Sequence, residues 1–214
     1  MKLMDIVIPI VFPDYLIAVS TPSPRLRVPD LLPGFDIFPD MVRIPATSQR
    51  VPELGHAGVM FIDGRSGLTK YYEYGRYDRA ELGLTRRVPV PDVRMGFDGH
   101  PTKVTLGGSL TKVSIEAGHG GRISGAYIPV PGKFPAMLAY AQRRIRENGN
   151  RNREPYSILK NSCIHFTKAV LEAAAVDTPV MIDPRPNSYI EELRDEFPKL
   201  DFVRQHSLRI DGRN

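Results

Sequence analysis

Residues 55–77 read GHAGVMFIDGRSGLTKYYEYGRY, and this stretch decides the fold. Gly55-His56-Ala57-Gly58-Val59-Met60-Phe61-Ile62 is an apolar run of strand length, and Asp63-Gly64-Arg65-Ser66-Gly67 is a run of turn formers. Residues 68–77 are rich in the aromatic types that strands favour. Together they predict a β-hairpin. With the turn centred on Arg65-Ser66, His56 comes opposite Tyr74 or Gly75, and Glu73 lies within one position or a diagonal of it. Glu73 is a lone acid in the aromatic run Tyr71-Tyr72-Glu73-Tyr74, a costly place to bury a carboxylate without a partner. A solvent-facing glutamate on an edge strand is the competing reading.

Towards the N-terminus, residues 6–12 and 15–19 read as two short buried strands broken at Pro13-Asp14. Asp5, Pro9, Pro13 and Asp14 interrupt this apolar run, so it does not read as a spanning helix of about 20 apolar residues. Only Lys2 could serve as the basic region of a signal peptide, although Ala18-Val19-Ser20 mimics a cleavage site. The expectation is a protein made in the cytoplasm without a convincing signal peptide. Nine of the 20 prolines fall in residues 1–52, and residues 21–52 read as an extended, turn-rich wrap packed on the body.

Beyond the hairpin, residues 103–106, 111–115 and 122–130 are weaker strand candidates. Three helices are expected over 135–147, from Cys163 to about 175, and over 188–197. In the last, Ser188 and Glu191 form a capping box and Pro198 is the stop. A final strand is expected over 200–210. Strands and helices are partly segregated along the chain, which indicates an α+β class in a single domain over 1–214.

Composition narrows the function classes. At 42% hydrophobic and 25% charged residues the chain is globular rather than disordered or collagenous. One cysteine excludes an internal disulfide, and a net charge of +5 suits work beside an anionic surface. The basic run Arg143-Arg144-Ile145-Arg146, with Arg151 and Arg153, has no interleaved aromatics and no binding fingerprint. It reads as a solvated helix end, and no nucleic-acid partner is expected. Gly118-His119-Gly120-Gly121-Arg122 lacks the Lys-Ser/Thr of a phosphate loop. Asp98, His100 and His119 lack metal-ligand spacing, so no metal or cofactor is expected.

Cys163 follows the capping pair Asn161-Ser162 and opens a strongly helical stretch. In a first turn, free backbone N–H groups and the helix dipole stabilise a thiolate, and the same groups can hold an oxyanion. The competing reading is a small buried apolar residue. Of the five histidines, His56 opens the apolar strand, with Gly55 and Gly58 leaving room beside its ring. His165 lies about 200° round the helix from Cys163 and reads as a structural residue bonded on the far face. His100 and His119 sit in solvated turns, and His206 sits on the late strand and would give the opposite order, Cys then His. A carboxylate at one imidazole nitrogen fixes the tautomer and leaves the other nitrogen for a thiol.

Gly55-His56-Ala57-Gly58-Val59, an acid on the next strand at Glu73, Tyr156 and Asn161-Ser162-Cys163-Ile164-His165-Phe166 together resemble the circularly permuted papain-like group. This group holds the permuted NlpC-type peptidases and the lecithin:retinol acyltransferase relatives. The resemblance implies a permuted papain-like fold, with an antiparallel sheet packed against the cysteine-bearing helix. It also implies Cys163 as nucleophile, His56 as base and Glu73 as its orienting partner. In the acyltransferase relatives the third member is usually a second histidine, so Glu73 favours the peptidase side. Residues 67–78, GLTKYYEYGRYD, further resemble papain-like amidase effectors of type VI secretion. That resemblance implies an antibacterial amidase or endopeptidase on cell-wall peptides, with a secretion apparatus and an immunity protein as partners, acting in the periplasm of a target cell. A lipid acyl hydrolase or acyltransferase, and a non-catalytic binding module, are the alternatives.

Overall fold

The computed structural model describes residues 4–15, 17–19, 49–51, 55–77 and 82–213. In chain order the elements are β1 (Ile6–Phe12), β2 (Ile17–Val19), β3 (Gln49–Val51), β4 (His56–Ile62), β5 (Thr69–Gly75) and β6 (Leu84–Val88). Then come α1 (Lys103–Glu116), β7 (Ile123–Ala126), β8 (Ile128–Pro129), α2 (Phe134–Glu147), α3 (Cys163–Ala173), α4 (Pro186–Glu196), β9 (Lys199–Val203) and β10 (Ser207–Ile210). The chain divides into two compact units, residues 16–52 and the remainder. Within the smaller unit β2 and β3 pair antiparallel, Ile17 opposite Val51. The wrap expected over 21–52 falls largely outside the described residues.

The larger unit is built on one antiparallel sheet in the order β10-β9-β7-β1-β4-β5-β6, with β8 also paired to β1. The β4–β5 hairpin has the predicted register, Gly58 opposite Glu73 and Ile62 opposite Thr69. β1 lies in the middle, antiparallel to β4 along its whole length. Its side chains alternate between two buried faces, which is why IVIPIVF is apolar at every position. Val7 and Val11 join Ala57, Val59, Phe61, Tyr72 and Tyr74 against α2, α3 and α4. Ile6, Ile8, Ile10 and Phe12 face the other way, with Met60, Ile62, Tyr71 and α1.

The segments 103–106 and 111–115, expected as strands, are both parts of α1. Their β-branched residues and Gly107-Gly108 argue against a helix, at about 1 kcal/mol for each glycine. Leu106, Leu110 and Val113 lie on one helical stripe and are buried against the sheet. Burial of such side chains contributes about 1.5–3 kcal/mol each, and tertiary packing prevails over propensity. The region expected as one strand over 122–130 divides into β7 and β8. That expected over 200–210 is a hairpin, turning at Arg204-Gln205-His206 with Gln205 at φ 64°. His206 is therefore an exposed turn residue rather than a strand residue. The Ser188–Glu191 capping box does not form: α4 starts at Pro186 with Arg185 as its cap, and Glu191 pairs with Arg194 at 3.1 Å.

Candidate active site

Three elements, β4, β5 and α3, carry the predicted residues. His56 is the first residue of β4, and Cys163 is the first residue of α3, with Ser162 in extended conformation just before it. All three predicted side chains are buried: Cys163 is 2% exposed, His56 7% and Glu73 0%. Nε2 of His56 lies 3.0 Å from Oε2 of Glu73, and the imidazole is near enough to Cys163 for each group to act on the other's protonation. With Nε2 committed to the carboxylate, Nδ1 is the nitrogen left for the thiol.

The electrostatics follow from this packing. Burial alone would push the Cys163 thiol up, but the His56 hydrogen bond and charge, with the backbone N–H groups of Ala57 and Ile164, bring it below the usual thiol range. The Ile164 contribution is the first-turn N–H expected from sequence. Burial would lower His56, yet its bonds to Cys163 and Glu73 and their charges raise it well above the ordinary imidazole value. Burial would raise Glu73, and the bond to His56 together with the Arg86 guanidinium holds it below the usual carboxylate range. A buried thiolate–imidazolium pair backed by a carboxylate is the chemical state these directions describe.

Several surrounding residues have contacts to which the sequence reading assigned no role. Tyr71 Oη donates to Glu73 Oε2 at 3.1 Å, Tyr77 Oη donates to Oε1 at 2.9 Å, and Arg86 Nε donates to the same oxygen. Arg86 stands directly opposite Glu73 on β6, a strand the sequence reading did not predict. The space left by Gly58 is occupied by the Tyr71 hydroxyl rather than lying open beside the imidazole. The Tyr15 ring lies 5.2 Å from that of His56 and 4.9 Å from that of His119, whose Nε2 meets Tyr15 Oη at 3.1 Å. Tyr156 is close enough to Cys163 to interact with it, and burial together with the thiolate charge raises its pKa.

The remaining predicted histidines have other partners. His165 Nδ1 meets Ser162 Oγ at 2.9 Å, so the bond lies within the first turn of α3 rather than on its far face, and the Ser162 hydroxyl caps no backbone group. His100 Nδ1 lies 2.9 Å from Tyr127 Oη and is not simply solvated. Asn161 is a loop fastener: Nδ2 donates to Tyr74 Oη at 2.9 Å and to the carbonyls of Glu154 and Pro155. Among the described residues no group of three His, Cys, Asp or Glu side chains is placed to hold a metal ion. None of the described helices is long and apolar enough to cross a membrane.

Residues 7–179 match the family model of type VI secretion system effectors described as TseH-like. The chain belongs to the TseH-like type VI secretion effector family. The matched span runs from β1 past the end of α3 and contains His56, Glu73 and Cys163. The crystal structure of the type VI secretion system effector TseH is similar over 98% of this chain and 99% of that one, with a TM-score of 0.76 and 29% identity. The antiparallel sheet with four described helices is therefore an architecture shared with TseH. No curated protein sequence matches the chain.

Proposed function

We propose that this TseH-like effector is a cysteine hydrolase of permuted papain-like type that cleaves peptide amide bonds of the bacterial cell wall. The observation that carries the reading is the buried His56 ring, bonded to Glu73 through Nε2 at 3.0 Å and placed to act on the helix-opening Cys163. The Cys163 thiolate attacks the carbonyl carbon of the amide, forming the C–S bond and a tetrahedral oxyanion. The Cys163 N–H, free in the first turn of α3, and the nearby Tyr156 hydroxyl are the donors for that oxyanion. Collapse breaks the C–N bond, and imidazolium Nδ1–H protonates the departing amine. Water, deprotonated by the now neutral imidazole, attacks the thioester, and the C–S bond breaks to release the acid and regenerate the pair.

Glu73 keeps the imidazole in the required tautomer and stabilises its protonated form. A carboxylate in this role supports a peptidase rather than the lipid acyltransferase alternative, in which a second histidine is usual. Family membership supports delivery into a target cell by the secretion apparatus, with a periplasmic site of action and an immunity protein in the producer. The net charge of +5 suits an anionic wall.

The test pairs chemistry with compartment. Purified wild-type chain incubated with cell-wall fragments should yield new free amino termini by mass spectrometry, and Cys163→Ser should yield none. In a bacterium, the wild-type chain should be tolerated in the cytoplasm and harmful when fused to an export signal, with the harm abolished by Cys163→Ser. Export toxicity that survives Cys163→Ser would overturn the hydrolase reading in favour of a binding module. Equal toxicity without export would point to a substrate inside the cell.

A further inference from the structure

The carboxylate of Glu73 is fully buried and has four hydrogen-bond donors. Oε2 accepts from His56 Nε2 at 3.0 Å and from Tyr71 Oη at 3.1 Å. Oε1 accepts from Tyr77 Oη at 2.9 Å and from Arg86 Nε. The Tyr77 oxygen also lies 3.1 Å from His56 Nε2, so that one N–H is shared between the carboxylate and the phenol.

Tyr77 and Arg86 are in turn held by contacts of their own. The Tyr77 ring folds back over Gly75, where a Cβ would come within 2.7 Å of its Cζ. The Arg86 guanidinium stacks 4.6 Å from the centre of that ring and donates from a second nitrogen to the Glu116 carbonyl at 3.0 Å. Tyr77 is 40% exposed, whereas Glu73 is wholly buried. The tyrosine and the arginine thus form the outer wall between the Glu73–His56 hydrogen bond and water.

We propose that Tyr77 and Arg86 are positioning residues that shield and hold Glu73 on Nε2 of His56, and so fix Nδ1 as the nitrogen that serves Cys163. This rests on the cysteine chemistry proposed above. A buried carboxylate stays ionised only while opposite charge and donors surround it. An ionised Glu73 in turn holds the proton on Nε2. Excluding water from that bond strengthens it. Without the wall, the carboxylate would be drawn towards solvent and the imidazole would lose its fixed orientation.

The measurement is the rate of Cys163 alkylation by iodoacetamide against pH, in the full chain, with a thermal melt of each variant. The groups that face Glu73 are His56, Tyr71, Tyr77 and Arg86, with Tyr15 close enough to feel its charge. Those acting on the thiol are His56, Tyr156 and Tyr15, with Arg76 close enough to act on Tyr156. In the wild type the acid limb should lie below the ordinary thiol value of about 8.5, and His56→Ala should move it up. Tyr77→Phe removes one donor and keeps the ring, and should raise the limb by about one pH unit, or about tenfold in rate on that limb. Arg86→Gln should shift it further the same way, and Arg86→Lys should recover part of the shift. A limb unmoved in Tyr77→Phe and Arg86→Gln, with a lowered melting temperature, would make both residues merely structural and overturn the proposal. In that case a wild-type limb that lies below the ordinary thiol value and still depends on His56 leaves the hydrolase reading standing. A wild-type limb at the ordinary thiol value, unaffected by His56→Ala, would overturn both.

Discussion

Gly58 lies directly opposite Glu73 across the β4–β5 pair, and a Cβ at Gly58 would stand 2.1 Å from the hydroxyl oxygen of Tyr71. The missing side chain is therefore the space through which Tyr71 reaches the carboxylate. Tyr71 is fully buried, so its ring has no free direction in which to yield.

Gly58→Ala is accordingly expected to displace Tyr71 from Glu73 while leaving the backbone of β4 in place. The overpacking should cost about 1–3 kcal/mol, read as a lower denaturation midpoint at unchanged slope. Gly58→Ala combined with Tyr71→Phe should recover part of that loss, because the clashing oxygen is gone. No recovery would show that the clash lies elsewhere.

Glu73→Gln is expected to be destabilising as well as slow. A glutamine amide offers one acceptor oxygen to four donors and turns its own N–H groups towards Arg86 or His56. The loss should be about 1–3 kcal/mol, with Cys163 alkylation slowed at neutral pH. A variant as stable and as reactive as the wild type would remove Glu73 from its proposed role.

Acid should erase the difference between those two proteins. The Glu73 pKa is lowered in the folded chain from an ordinary 4.5. Its contribution is therefore complete above that value and is lost as pH falls through the lower folded value. Urea titrations of wild type and Glu73→Gln should show the full gap in stability between about pH 5 and about pH 6, and a narrowing gap below that window. A gap that widens on acidification would reverse the sign assigned to Glu73.

The histidines separate by the same reagent. His56→Ala should raise the pH needed for Cys163 alkylation, and His206→Ala, in an exposed turn, should leave it unchanged. His165→Ala breaks the bond to Ser162 and should cost about 0.5–1.5 kcal/mol without moving the alkylation profile. A shifted profile in His206→Ala would reverse the assignment of the base.

The hairpin register, and with it the approach of His56 to Glu73, was legible because it depends on local pattern, whereas Cys163 was joined to them only through the family resemblance. A turn run fixes which residues oppose, and a helix start fixes where a thiol finds free N–H groups. Arg86 and Tyr77 were not legible. Arg86 acts only because β6 pairs with β5, and the Leu84–Val88 sequence is too short and too basic to announce a strand. Tyr77 acts only because its ring folds back over Gly75. α1 was misread because its helical character comes from the sheet face it covers rather than from its own residues.

The central place of β1 bears on how the molecule comes into being on the ribosome. β1 has β4 as one neighbour and β7 with β8 as the other, so its backbone groups are not fully paired on one side until residue 129 has been made. Pairings so distant along the chain are slow to close. Cys163 emerges later still, onto a sheet whose middle can already be assembled. The thiol and the imidazole are thus kept apart by the order of synthesis itself.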